Sequence, residues 1–128
     1  MRLARRDDFA VETTLTGNSA LRLMRSARQM GYKITLVYVG IGSADLSLDR
    51  VLRRVSQGGH SVPVTDIYRR YPASLNNLAV ALTLADRAFV FDNSSDRRRK
   101  LLSRERGENR YVASDLPSWS VTPLKSIL

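Results

Sequence analysis

Arg54, Arg69 and Arg70 bracket the loop Gly58-Gly59-His60-Ser61-Val62-Pro63. Guanidiniums can neutralise phosphoryl oxygens, although on charge statistics alone any one of these arginines is a solvated surface residue. An earlier segment, Glu12-Thr13-Thr14-Leu15-Thr16-Gly17, sets a carboxylate and three hydroxyls around a turn. With no ligand involved, Thr14 and Thr16 are expected to cap the helix that follows and Glu12 to pair with a neighbouring arginine. Asp92, Asn93 and Ser94 close a short apolar run. In open parallel sheets ligands bind beyond the carboxyl ends of strands, although the same residue types also make ordinary turns. The single histidine, His60, and the lack of cysteine exclude multi-histidine metal sites, thiolate zinc, disulfides and a cysteine nucleophile. His60 is therefore expected to hydrogen-bond within its loop or to touch phosphate, and no metal site is expected.

A scaffold must hold these groups together. Phe9 to Thr14 is short and β-prone and predicts a strand. Apolar residues at 20, 23, 24, 27 and 30, opposite Arg22, Arg25 and Gln29, predict an amphipathic helix stopped at Gly31. Lys33 to Val39 is almost continuously apolar, which predicts a strand covered on both faces. Strand, helix, strand implies a parallel sheet with a right-handed crossover. Leu48, Val51, Leu52 and Val55, with Arg50, Arg53 and Arg54 opposite, predict a second helix ending before Gly58-Gly59. The stripe at 64, 68, 71, 75, 78, 82 and 85 passes through Pro72, where a kink or break is expected. Arg87 to Phe91 predicts a third buried strand, and Leu101 to Arg106 with Asn109 to Ala113 predicts an appended hairpin around Gly107-Glu108. Trp119 is expected to dock on the body, with Thr122 to Leu128 frayed or lightly packed.

At 128 residues the chain is one domain's worth, and 21 Lys and Arg against 12 Asp and Glu leave a net charge of +9. With 43% apolar and 26% charged residues it belongs with globular rather than disordered chains. No apolar run approaches the roughly 18 residues that span a bilayer, and Met1 to Asp8 has no apolar signal-peptide region. A cytoplasmic protein with no membrane association is the expectation.

Taken in order, Glu12-Thr13-Thr14, Gly58 to Pro63, Arg69-Arg70-Tyr71-Pro72-Ala73-Ser74-Leu75-Asn76-Asn77-Leu78 and Phe91-Asp92-Asn93-Ser94 resemble the zeta-toxin family and its predicted-ATPase relatives, which are P-loop phosphotransferases. The resemblance runs from about Arg5 through Trp119 and covers only the second half of such a protein. It implies one domain, 1–128, of α/β class: a P-loop-kinase-like parallel sheet with flanking helices that lacks the N-terminal P-loop strand, a lid at about 56–72 and a C-terminal β-hairpin at about 100–114. It implies Arg54, Arg69 and Arg70 as catalytic lid arginines, and Glu12, Thr14 and His60 as contacts to an acceptor that is a UDP-amino sugar in some members. Asp92 and Asn93 would lie near the nucleotide base, with ATP and Mg²⁺ as cofactors. Where characterised zeta toxins carry an arginine two positions after Thr14, this chain has Thr16. It also contains no Gly-Lys dipeptide, so the G-x-x-x-x-G-K-[ST] cradle is not encoded, and the family's catalytic Asp belongs to the same missing half. Neither turnover nor tight ATP binding is expected of these residues alone. The alternative function is a basic binding module, for nucleic acid along Arg97 to Lys100 or for an acidic antitoxin-like protein. Aromatic content of 7%, with none interleaved in the basic run, weighs against nucleic acid. By the same resemblance the sheet has lost the strand between Phe9–Thr14 and Lys33–Val39, which leads to the expectation of a homo-oligomer, a two-fold dimer.

Overall fold

The computed structural model describes residues 7–60 and 62–128; Met1 to Arg6 and Ser61, the latter in the expected lid, lie outside the described residues. Helix α1 (Ser19–Gln29) buries Leu21 and Ala27. Its end is a glycine stop: Gly31 takes φ +87° and the Tyr32 N–H reaches back to the Ala27 carbonyl at 3.0 Å. Helix α2 (Ala44–Ser56) begins at Ser43, whose hydroxyl accepts from the Leu46 N–H at 3.1 Å. Helix α3 (Val64–Leu84) continues through Pro72, without the break that was one of the two expectations there. Losing the Tyr68 carbonyl's partner costs on the order of 3 kcal/mol. Burying Leu78 and Leu82 contributes roughly 1.5–3 kcal/mol each, enough to keep the helix whole.

Strands β1 (Thr35–Gly40), β2 (Arg87–Asp92), β3 (Arg99–Glu105) and β4 (Glu108–Val112) form one sheet in that order. β1 and β2 are parallel, in register from Thr35 opposite Arg87 to Gly40 opposite Asp92. The β2–β3 and β3–β4 pairs are antiparallel. The chain is thus α/β with a mixed sheet, and the hairpin extends that sheet instead of forming an appendage. Its turn is Arg106-Gly107, both at positive φ (53° and 79°), one residue earlier than expected. A bulge at Leu101 lets Leu101 and Leu102, though adjacent, both be fully buried.

Three further expectations are corrected. Phe9 to Thr14 forms no strand; Leu15 turns the chain at φ +58° and is the residue that enters the core, at 3% exposure. β1 is covered on one face only, since Leu36 and Tyr38 pack on the core while Val37 and Val39 are exposed. The C-terminal segment is packed in part: helix α4 (Ser118–Leu124) buries Trp119, Pro123 and Leu124, while the 3₁₀ turn Lys125–Ile127 buries none of its residues. Among the described residues no helix is long and apolar enough to cross a membrane.

Candidate functional site

Parallel pairing brings the carboxyl ends of β1 and β2 side by side, and the Asn93 N–H donates to the Gly40 carbonyl at 2.7 Å to lock them. Beyond these ends opens a cavity of about 360 Å³. Its floor is Tyr38, Gly40 and Ile41; α2 contributes Arg54 and Ser47, α3 contributes Arg70, Tyr71 and Ser74, and Thr14, Thr16 and Asn93 complete the rim. Four of the residues singled out from sequence therefore share one cavity: Thr14, Arg54, Arg70 and Asn93.

The other four do not line it. Arg69 is turned outward beside Asp66 at 3.5 Å, and Glu12 and His60 are exposed. The Asp92 carboxylate is engaged elsewhere: one oxygen accepts from the Trp119 indole N–H at 3.0 Å and from the Ser94 hydroxyl at 2.5 Å. Asp92 thus holds the C-terminal helix to the sheet. Nor do Thr14 and Thr16 cap α1; they hydrogen-bond each other at 3.0 Å, and Asn18 precedes the helix without a side-chain cap.

Several further groups shape the site: Tyr38 lies outside the motifs, and Tyr71, Ser74 and Asn77 lie within the Arg69 to Leu78 stretch without having been singled out. Tyr71 donates to the Ile41 carbonyl at 2.7 Å, and Tyr38 shares a hydrogen bond of 2.8 Å with Ser74. Burial pushes the Tyr38 phenol above its ordinary pKa, partly offset by the Ser74 bond, and burial followed by the nearby Tyr38 and Asp92 charges pushes Tyr71 the same way. Both remain neutral hydrogen-bonding groups at neutral pH. Asn77 donates to the carbonyls of Leu15 and Gly17, at 2.9 and 3.1 Å, and so fixes the turn that presents Thr14. The signal for Arg70, Tyr71 and Ser74 is their position: Tyr71 puts a phenol into the α3 stripe between the buried Ile67 and Leu78, and Arg70 and Ser74 lie beside it.

Charge at the cavity is positive. Arg70 lies 4.0 Å from Asp66 and is 41% exposed, a weak pairing that leaves its guanidinium available. Among the described residues no carboxylate comes within 4.0 Å of Arg54. The run from Arg97 to Lys100 lies away from the cavity and is exposed: Arg98 lies 5.8 Å over the Phe91 ring, Arg99 donates to the Asp115 carbonyl at 2.6 Å, and Lys100 lies 4.9 Å over the Tyr111 ring.

No protein-family model and no solved structure matches the chain. Among curated proteins it is similar to an uncharacterised protein of Haemophilus influenzae, 36% identical over 63 residues. That stretch is 49% of this chain and 45% of the relative, so the match spans a little under half of the relative's length.

Proposed function

We propose that the chain is the acceptor-side portion of a zeta-toxin-like, P-loop-kinase-type phosphotransferase, and that the cavity beyond β1 and β2 receives a hydroxylated, phosphate-bearing small molecule. The observation that carries this is the convergence of Thr14, Arg54, Arg70 and Asn93, from four separate segments, on one cavity at the carboxyl ends of two parallel strands. Arg54 and Arg70 supply charge for phosphoryl oxygens, with Arg70 reaching from α3 and Arg54 from the end of α2. Thr14, Thr16 and Ser74 offer hydroxyls, and Asn93 an amide, to orient the substrate.

The residues present do not fit Mg²⁺-ATP. There is no Gly-Lys pair to cradle phosphates, one Asp92 oxygen already accepts from the Trp119 indole and from Ser94, and no group of three His, Asp or Glu among the described residues stands ready for a cation. The chain's own contribution is therefore substrate binding and charge.

The test is calorimetry with a UDP-amino sugar, the acceptor that the resemblance implies, alongside ³¹P titration with inorganic phosphate. Binding is expected in the native chain, weakened at least tenfold by Arg54→Gln with Arg70→Gln and retained in Arg97→Gln with Lys100→Gln. Equal loss in both double variants would reduce the effect to net charge and overturn the assignment.

A further inference from the structure

The pleat of the sheet places Val37 and Val39 of β1 and Phe89 and Phe91 of β2 on one face, paired Val37 to Phe89 and Val39 to Phe91. Tyr111 of β4 extends the same face through Ser103. The opposite face carries Leu36, Tyr38, Ala88 and Val90 into the core beneath the helices. Val37 stays 58% exposed, Val39 41% and Tyr111 43%, with Phe89 and Phe91 half-buried. A contiguous apolar strip of this kind, open to solvent and rimmed by charge, marks a docking face.

Its charges identify the occupant. Arg98 sits over Phe91 and Lys100 over Tyr111, and no described carboxylate comes within 4.0 Å of either. The two acids on the face, the paired Glu105 and Glu108, already lie beside arginines, Arg87 at 3.9 Å and Arg110 at 3.6 Å. An apolar strip with an uncompensated cationic rim, on a chain of net charge +9, is complementary to an acidic apolar partner and not to a second copy of itself. We infer that the open face of the sheet, from Val37 and Val39 to Phe91 and Tyr111, binds an amphipathic helix whose apolar stripe lies on the strip and whose flanking Asp and Glu meet Arg98 and Lys100.

The experiment uses the full chain and three 18-residue helical peptides: a leucine stripe flanked by Glu, the same stripe flanked by Lys, and Glu flanks with alanine replacing leucine. Backbone NMR titration and fluorescence anisotropy are read together, with light scattering on the free chain. The Glu-flanked leucine peptide is expected to shift the amides of Val37, Val39, Phe89, Phe91 and Tyr111. It is also expected to bind at least tenfold more tightly than either other peptide. Val37→Ser with Val39→Ser, at positions exposed enough to leave the fold intact by thermal melt, should weaken it at least tenfold, and Arg98→Glu with Lys100→Glu should reverse the preference between Glu and Lys flanks. Equal binding of the Lys-flanked peptide, shifts confined to other surfaces, or no binding would overturn the inference. So would a dimer of the free chain that the two serine substitutions dissociate, because a second copy would then hold the face.

Discussion

Gly40 has no room for a methyl group. A Cβ built there falls 2.3–2.7 Å from three carbons of the Trp119 ring, well inside van der Waals contact. The backbone at Gly40 is not in the left-handed region, so Gly40→Ala tests sterics alone. The ring has two ways to respond. It can stay, 7% exposed and tied to Asp92 through its N–H at 3.0 Å, and the overpacking then costs about 1–3 kcal/mol. Or it can swing out and give up the charged hydrogen bond, which costs about 1.5–3 kcal/mol. Both routes give a similar loss. For 128 residues an unfolding entropy of about 2.1 cal/mol/K per residue amounts to roughly 0.27 kcal/mol/K, so Tm should fall by about 4–11 °C. Circular dichroism melts give the shift, and emission from Trp119, the only tryptophan, says which route was taken: a red shift if the ring leaves, little change if it stays. Gly17→Ala is the control, with nothing within 4 Å of its Cβ and no positive φ, and it should be neutral or stabilising by up to about 1 kcal/mol. A Gly40→Ala protein with unchanged Tm and unchanged emission would show that Trp119 does not pack on the end of β1, and the description of the cavity floor would fall with it.

Tyr38 and Tyr71 are held protonated above the ordinary 10.0 mainly by burial, so the unfolded chain releases these protons first; stability should be full below pH 10 and fall as pH rises beyond it, a decline that Tyr38→Phe with Tyr71→Phe should flatten in urea midpoints at pH 8, 10 and 11. Asn77→Asp replaces the donor that holds the Leu15 and Gly17 carbonyls with an acceptor facing them, and should lower unfolding free energy by about 1–3 kcal/mol while speeding amide exchange from 13 to 18. A loss confined to global stability, with local exchange unchanged, would mean that Asn77 does not organise the Thr14 turn.

What could be read from sequence divides by how local its cause is. α1 and α2 declare themselves because arginines mark the wet side of each apolar stripe, and Gly31 and Gly58 supply positive φ where the chain turns away. The hairpin follows from Gly107 between two short runs. The one-sided cover of β1 was not legible: Ile34 to Val39 is apolar on alternate and intervening residues alike, so its pattern matches a strand buried on both sides, and only what lies across the second face distinguishes the two cases. Phe9 to Thr14 misled for a related reason. Its residues favour extended backbone, but a strand needs a ladder partner, and the turn at Leu15 spends the segment's buried contact on the core instead.

Asp92 and Asn93 show why motif residues divide as they do. As neighbours at the end of β2 they carry equal weight in the sequence, yet alternation along a strand sends them different ways. Asp92 shares its face with Ala88 and Val90, where Trp119 waits with an indole N–H that needs an acceptor, so its carboxylate is fixed by packing. Asn93 follows the last paired residue, reaches across to the Gly40 carbonyl through its backbone and lines the cavity. The same logic runs along α3, where one stripe serves first as cavity wall and then as core. Leu78 and Leu82 continue it inside the protein, whereas Tyr71, flanked by Arg70 and Ser74, occupies it where it lines the cavity. Polar side chains on a stripe that is elsewhere apolar can be stable only where the helix has left the core or where partners await them, and here both conditions hold at the ends of the two parallel strands.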